Sequence, residues 1–350
     1  MTWLAWRQFR IQAIAAAAIA AVLAGFFLYT GPQLARLYDA SGLAGCHASD
    51  GCPGLVSRFF SEVKLNSANP VLFFLGSGVL ILLPGVIGAF WGAPLVTGEL
   101  ESGSFKLTWN QGVTRTRWMI VKLALTGLAA MATAGVIGLV FTWWVSPVDN
   151  AGGFPDNLGQ WSRLSPLMFA DRGIAPVGWA AFALMLGVTA GVVVRRTIPA
   201  MAITLAVVVA VQILWPGIVR SHLIAPRRAT AAVEVRALDD AVITHGGELI
   251  MPTSQPGLSV SLSGAWVVSN KTITTSGHVF MLPEVAACQN SSLTAPGCER
   301  WFASQHLRQV VSYVPASSFW PLQWFETAIL LVLATGLGGL CTWRVRRLMT

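Results

Sequence analysis

Long apolar runs separated by polar stretches dominate this chain. Six windows are long enough for a helix across a hydrocarbon core of about 30 Å, which takes roughly twenty apolar residues: Ile11 to Thr30, Val71 to Trp91, Met119 to Val145, Ala175 to Val194, Ile198 to Ile218 and Leu322 to Trp343. In lipid only helices and closed barrels satisfy their own backbone polar groups, and runs of this length predict helices. The pattern divides the chain into an N-terminal piece with the first span (1–30), a loop (31–70), the second span (71–91), a charged segment (92–118), the third span (119–145), a Gly/Asp/Pro-rich loop expected to be irregular (146–173), the fourth span (174–194), the fifth (198–218), a large segment (219–321), the sixth span (322–343) and a tail (344–350). Within 219–321, Leu258 to Val268 and Thr272 to Phe280 mix apolar and polar residues as half-buried strands do. Cys298 to Val311 carries Trp301, Phe302, His306, Val310 and Val311 at roughly helical spacing. The predicted fold class is an all-α polytopic membrane protein with a small mixed α/β or β-rich domain between the fifth and sixth spans.

Composition agrees. Apolar residues make up 54% and charged residues 11% of the 350, against about a quarter charged in soluble domains. The +8 net charge is distributed unevenly. With the N-terminus inside, the inner pieces hold Arg7, Arg10, Lys106, Arg115, Arg117, Lys122, Arg195, Arg196, Arg344, Arg346 and Arg347, with Glu99 and Glu101 as their only acids. The longer outer pieces are nearly balanced, so the positive-inside rule predicts both termini in the cytoplasm and the large segment outside. The basic excess then faces anionic lipid, and nucleic acid is not an expected partner. A cleaved signal peptide is the alternative for the N-terminus, but its apolar run is too long. Met1 to Arg10 is expected to lie along the inner interface as a short amphipathic helix before the chain turns into the bilayer.

Some features suggest packing or chemistry. Gly88-Ala-Phe-Trp-Gly92 and Gly187-Val-Thr-Ala-Gly191 have the spacing that lets helix backbones approach closely, within the chain rather than at a dimer seam. Pro84 should kink the second span. Gln212 suits an interhelical hydrogen bond better than a substrate contact. Glu326 fits two roles equally, contact with a cationic substrate or gate, or an interfacial carboxylate reaching water or a neighbouring Arg. Local pairing of Cys46 with Cys52 and of Cys288 with Cys298 would form disulfides in outer loops, each worth about 2 to 3 kcal/mol, with other connectivities left open by the sequence; reduced thiols would require the opposite orientation. No lysine follows a glycine, which excludes a phosphate-cradling loop of the Walker type. Neither a zinc-protease helix motif nor a nucleophile elbow occurs, and the histidines lack ligand spacing.

The charged segment carries the most information. Glu99-Leu-Glu101-Ser-Gly103-Ser-Phe-Lys-Leu107, then Val113-Thr-Arg115 and Lys122, resembles the cytoplasmic signature of ABC-2 type permeases, the membrane subunits of ATP-binding-cassette exporters. Ser104 replaces a threonine of that pattern, and Trp109-Asn-Gln-Gly112 stands where many members place a proline turn. The start Met1 to Arg10, Thr114-Arg-Thr-Arg-Trp118 and Ser318 to Glu326 are similar to actinobacterial permeases. The resemblance implies a six-helix, multi-pass subunit of a bacterial plasma membrane, working as a dimer with a second copy or a related permease. Two separate ATPase subunits would bind the ATP and magnesium, and this chain itself would hold no cofactor and be no enzyme. It implies coupling through Glu99, Glu101, Gly103, Arg115 and Arg117, with Arg195 and Arg196 as a smaller contact, and a path past Pro84, Gln212 and Glu326 for an amphiphilic drug, lipid or peptide moving outward. A solvated loop with its acids near a helix N-terminus is the plain alternative for Glu99 and Glu101, and a membrane sensor with an outer ligand-binding domain is the alternative function.

Overall fold

The computed structural model describes residues 2–45, 53–65, 68–102, 115–156, 159–235, 238, 241–244, 246–253, 262, 264–282 and 296–348. Cys46, Cys52, Gly103 and Cys288 lie outside the described residues, as do the side chains of Glu99 and Arg115. The chain divides into a helical unit, 1–223 with 320–350, and a second unit, Ile224–Phe319.

Among the described residues, six helices are long and apolar enough to cross a membrane: Arg10–Ala40, Asn69–Gly98, Arg117–Asn150, Ala175–Val194, Thr197–Leu223 and Ala316–Val345. The first belongs to α1 (Thr2–Ala40), followed by the short α2 (Pro53–Leu65). No separate interfacial helix precedes the first span, contrary to expectation. Residues 2–10 join the same rod, because no proline or glycine interrupts the chain before Gly25 and the alanine-rich run is a strong helix former.

The second span comprises α3 (Ala68–Val86), a wider π-helical stretch Ile87–Gly92, and α4 (Pro94–Ser102). Pro84 offers no N–H to the turn before it. Just beyond, the helix takes an extra residue into one turn, and Ala93 N–H bonds to Gly88 O at 2.9 Å. The third span, α5 (Arg115–Asn150), runs past the expected limits of 119 and 145 and through Pro147. The reason is local: Pro147 leaves the Trp143 carbonyl without its helical donor, and Ser146 Oγ supplies one at 2.8 Å. The 146–173 segment is correspondingly more regular than expected. After α5 come an antiparallel hairpin of β1 (Phe154–Asp156) and β2 (Gly159–Trp161) and a 3-10 turn at Met168–Asp171.

The fourth and fifth spans are α6 (Ala175–Val194) and α7 (Thr197–Trp215), the latter extended by a π turn at Pro216–Arg220. Two residues join them. Arg195 makes the reversal in the left-handed region at φ 58°, its N–H on Gly191 O at 2.9 Å.

Helix packing follows from small residues and rings. Phe27 of α1 meets Phe141 and Trp144 of α5 at centroid distances of 5.3 and 5.4 Å, and Trp144 Nε1 donates to Thr30 Oγ1 at 2.9 Å. Between the second and fourth spans there is room for backbone only. A Cβ on Gly88 would sit 2.5 Å from Ala183 O, one on Gly92 2.5 Å from Leu184 O, and one on Gly191 2.8 Å from Ala93 O, while one on Gly187 would overlap Gly88 O. The two glycine pairs therefore pack against each other within one chain. The π stretch widens the second span where this approach occurs.

The second unit is built on a three-stranded antiparallel sheet in the order β3 (Arg227–Ala232), β7 (Arg308–Val314), β6 (Trp266–Ile273), and includes a small hairpin of β4 (Val242–Ile243) and β5 (Leu249–Ile250). Leu238, Leu249, Met251, Phe280, Phe302 and Leu307 form a core with Cys298 of α8 (Pro296–Ser304). Two expectations are corrected here. The helix expected from Cys298 to Val311 stops at Ser304, where His306 takes φ 46°, and residues 308–314 pair with strands on both sides because β-branched Val310 and Val311 suit a sheet centre. The strands expected at 258–268 and 272–280 give one strand at 266–273. Residues 274–277 turn, with Gly277 N–H on Thr274 O at 2.9 Å, and residues 254–261 lie outside the description. The sixth span is α9 (Phe319–Leu348).

Candidate functional site

One end of the helical unit gathers the close of α4, the α6–α7 turn and the beginning of α5. Arg196 is extended at the N-cap of α7 and provides no side-chain cap. The first turn of a helix has N–H groups with no partner inside the helix, and here Glu101 of α4 supplies the acceptor. Its Oε1 accepts from the Thr197 N–H at 2.9 Å, and its Oε2 lies 2.8 Å from the Thr197 hydroxyl. That hydroxyl is also 2.9 Å from Thr97 Oγ1, whose own proton goes to Ala93 O at 2.9 Å. The Thr197 amide, then its hydroxyl, then the charge of Arg196 hold the Glu101 carboxyl below the usual glutamate range despite some desolvation. Glu101 is thus a carboxylate at a helix N-terminus, where the dipole favours it. The helix it caps is α7, ninety-six residues along the chain.

Other residues singled out in the sequence lie on the same elements. Glu99 is in α4 and Arg115 begins α5. Arg117 is exposed two residues later, and Arg195 and Arg196 are exposed in the turn. Lys122 is buried one turn further along α5, its ammonium 4.9 Å from the Trp118 ring centre. Near the middle of the helices, Gln212 Nε2 donates to Ile81 O at 3.0 Å and ties α7 to α3, three residues before Pro84.

Glu326 lies in a different network, at the opposite end. It is fully buried. Arg220, set inward by the π turn of α7, donates Nε to Oε2 at 2.9 Å and Nη2 to Oε1 at 3.2 Å, while Trp179 Nε1 of α6 donates to Oε1 at 3.1 Å. Arg220 Nη1 bonds Pro166 O at 3.0 Å, and its guanidinium lies 4.1 Å from the centre of the Phe169 ring. Neighbouring Gln323 accepts from the N–H groups of Ile174 and Ala175 at 3.1 and 2.8 Å, capping α6. Both oxygens of Glu326 are therefore committed to holding α6, α7 and α9 together in this arrangement.

Arg220, Trp179, Thr197 and Thr97 were not singled out by sequence reasoning. The available signals were weak: Pro216 four residues before Arg220, and a threonine directly after the twin arginines.

Neither the curated proteins nor the solved structures contain a match to this chain. The family described as ABC-2 membrane transporter related matches residues 17–220, more than half of the 350. With six apolar helices able to cross a membrane, the chain is a multi-pass membrane component of a transporter and belongs to the ABC-2 membrane transporter related family.

Proposed function

We propose that this chain is the permease subunit of an ATP-driven exporter that moves an amphiphilic drug, lipid or peptide outward. A separate ATPase subunit docks through Glu99, Glu101, Gly103, Arg115 and Arg117, with a smaller contact at Arg195 and Arg196, two copies serving a pair of permeases. Both termini and this docking end face the cytoplasm, and the second unit faces outward. Family membership and the concentration of basic residues at this end support the reading.

The observation that carries it is the Glu101–Thr197 clasp. A push on α4 reaches α7 through a charge-assisted cap rather than being lost in a loose loop, so the fifth span moves with the docking segment. Glu101→Lys puts a positive charge against the positive end of α7. ATP hydrolysis by the copurified ATPase in vesicles, measured as the increment that the permease adds, is expected to fall by roughly twofold to thirtyfold, the range for a lost helix cap, with membrane insertion unchanged. An unaltered increment overturns the coupling role. If no ATPase copurifies with the chain, the exporter reading fails and the sensor reading takes its place, supported by the separately packed second unit.

The outward placement also predicts chemistry at the cysteines. Cys298 is buried in the core of the second unit, and the proposal pairs it with Cys288, and Cys46 with Cys52. A thiol-reactive mass tag applied after denaturation without reductant should label Cys341 alone. Labelling of all five cysteines would count against both the pairs and the oxidising side.

A further inference from the structure

At the same end as Arg220 but in a separate cluster, Arg172 is buried between two carboxylates. Its Nε donates to Asp149 Oδ2 at 3.2 Å and its Nη1 bonds Asp171 Oδ1. The guanidinium lies 4.8 Å from the centre of the Phe141 ring and 5.5 Å from that of Phe73. The side chains of Arg172 and Asp171 are 0% exposed and that of Asp149 is 6% exposed. Ionised throughout, Asp149, Asp171 and Arg172 together carry one net negative charge, with Arg163 acting on Asp149 from outside the cluster. Its polar atoms are also incompletely paired. Asp171 Oδ2, Asp149 Oδ1 and Arg172 Nη2 are buried without a hydrogen-bond partner, and the hydroxyl of Ser77, itself 1% exposed, faces the Asp171 carboxyl.

We propose that Asp149, Asp171, Arg172 and Ser77 form a proton-binding site, in which one proton on Asp171 neutralises the cluster and ties the second span to the turn after β2. A buried unpaired polar atom is costly, and a buried net charge more so. A proton on Asp171 Oδ2 relieves both. It cancels the surplus charge and turns Oδ2 from an acceptor into a donor toward the Ser77 oxygen, while Oδ1 keeps Arg172. Burial already pushes the Asp171 carboxyl up to about 6, against the opposing pull of Arg172 and Ser77 and with a further push from Asp149. The charged groups acting here are Arg172 from the same turn, Asp149 from α5 and, through Asp149, Arg163. Phe73 and Ser77 from α3 and Phe141 from α5 bring no charge.

An acid held above its unfolded value keeps its proton longer in the folded state. Its contribution to stability is therefore present at low pH and lost as pH rises from the ordinary aspartate range through about 6. The test is thermal unfolding of the full-length protein in detergent, followed by tryptophan fluorescence between about pH 5 and about pH 7.5. The wild type is expected to lose several degrees of Tm over that range, and Asp171→Asn, which mimics the protonated form, to lose that component. An equal slope in the variant overturns the proposal. Should sodium chloride raise the wild-type Tm above that in choline chloride at the upper pH, and not that of Asp171→Asn, the occupant is a metal cation and the proton assignment fails. If the variant does not fold, infrared spectroscopy of the wild type decides. A carboxylic-acid carbonyl band that disappears across the same pH range and shifts in Ser77→Ala supports the site, and no such band overturns it.

Discussion

Gly187→Leu is expected to leave little folded protein. Its first added carbon would overlap the Gly88 carbonyl, and the further neighbours of that position are the Gly88 carbonyl carbon and the Ala93 nitrogen. All three are backbone atoms of the wide turn that follows Pro84, so no flexible side chain can make way. Overpacking of a core usually costs about 1 to 3 kcal/mol. A clash between two helix backbones belongs at or above the top of that range, since relief requires moving a whole helix. The expected readout is loss of the monodisperse peak in detergent and a Tm too low to measure. Gly336→Ala in α9, where an added Cβ meets nothing within 4 Å, serves as the control and should change stability by no more than about 1 kcal/mol, in the stabilising direction. Wild-type behaviour of Gly187→Leu would mean that the second and fourth spans are not packed at these glycines.

The second large effect belongs to Arg220. Arg220→Leu would leave the buried Glu326 carboxylate with Trp179 Nε1 as its remaining donor, and breaking a buried pair from one side costs about 3 to 5 kcal/mol. Removing both charges together removes the uncompensated ion, so Arg220→Leu with Glu326→Leu should recover most of that loss. Thermal unfolding of the two single variants and the double variant measures the coupling directly. Additive losses would mean that the two side chains do not act as a pair.

The six spans were legible because lipid imposes a crude requirement, some twenty apolar residues, and the chain meets it six times. Their ends were less legible. Pro147 reads as a stop, yet one hydroxyl at Ser146 supplies the missing bond and the helix continues. The glycine spacing announced close helix contact, and the structure adds which helices meet. Glu101 was visible as a charged residue at a membrane boundary, but its partner Thr197 lies ninety-six positions on, and nothing local marks that distance. Arg220 and Glu326 are separated by still more chain. In the second unit the short elements depend on their neighbours. Val310 and Val311 suit either a helix face or a strand in isolation, and pairing with β3 and β6 decides.

The two-residue link at Arg195-Arg196 has a mechanical consequence. Because it is so short, α6 and α7 cannot part there, and any swing between them must pivot at that corner like the jaws of tweezers. A helix of twenty residues is about 30 Å long, so a rotation of about 5° opens the tips by about 2.6 Å. At the tips stand Trp179 and Arg220, one on each jaw, both gripping Glu326, and a displacement of that size is enough to make one of them let go.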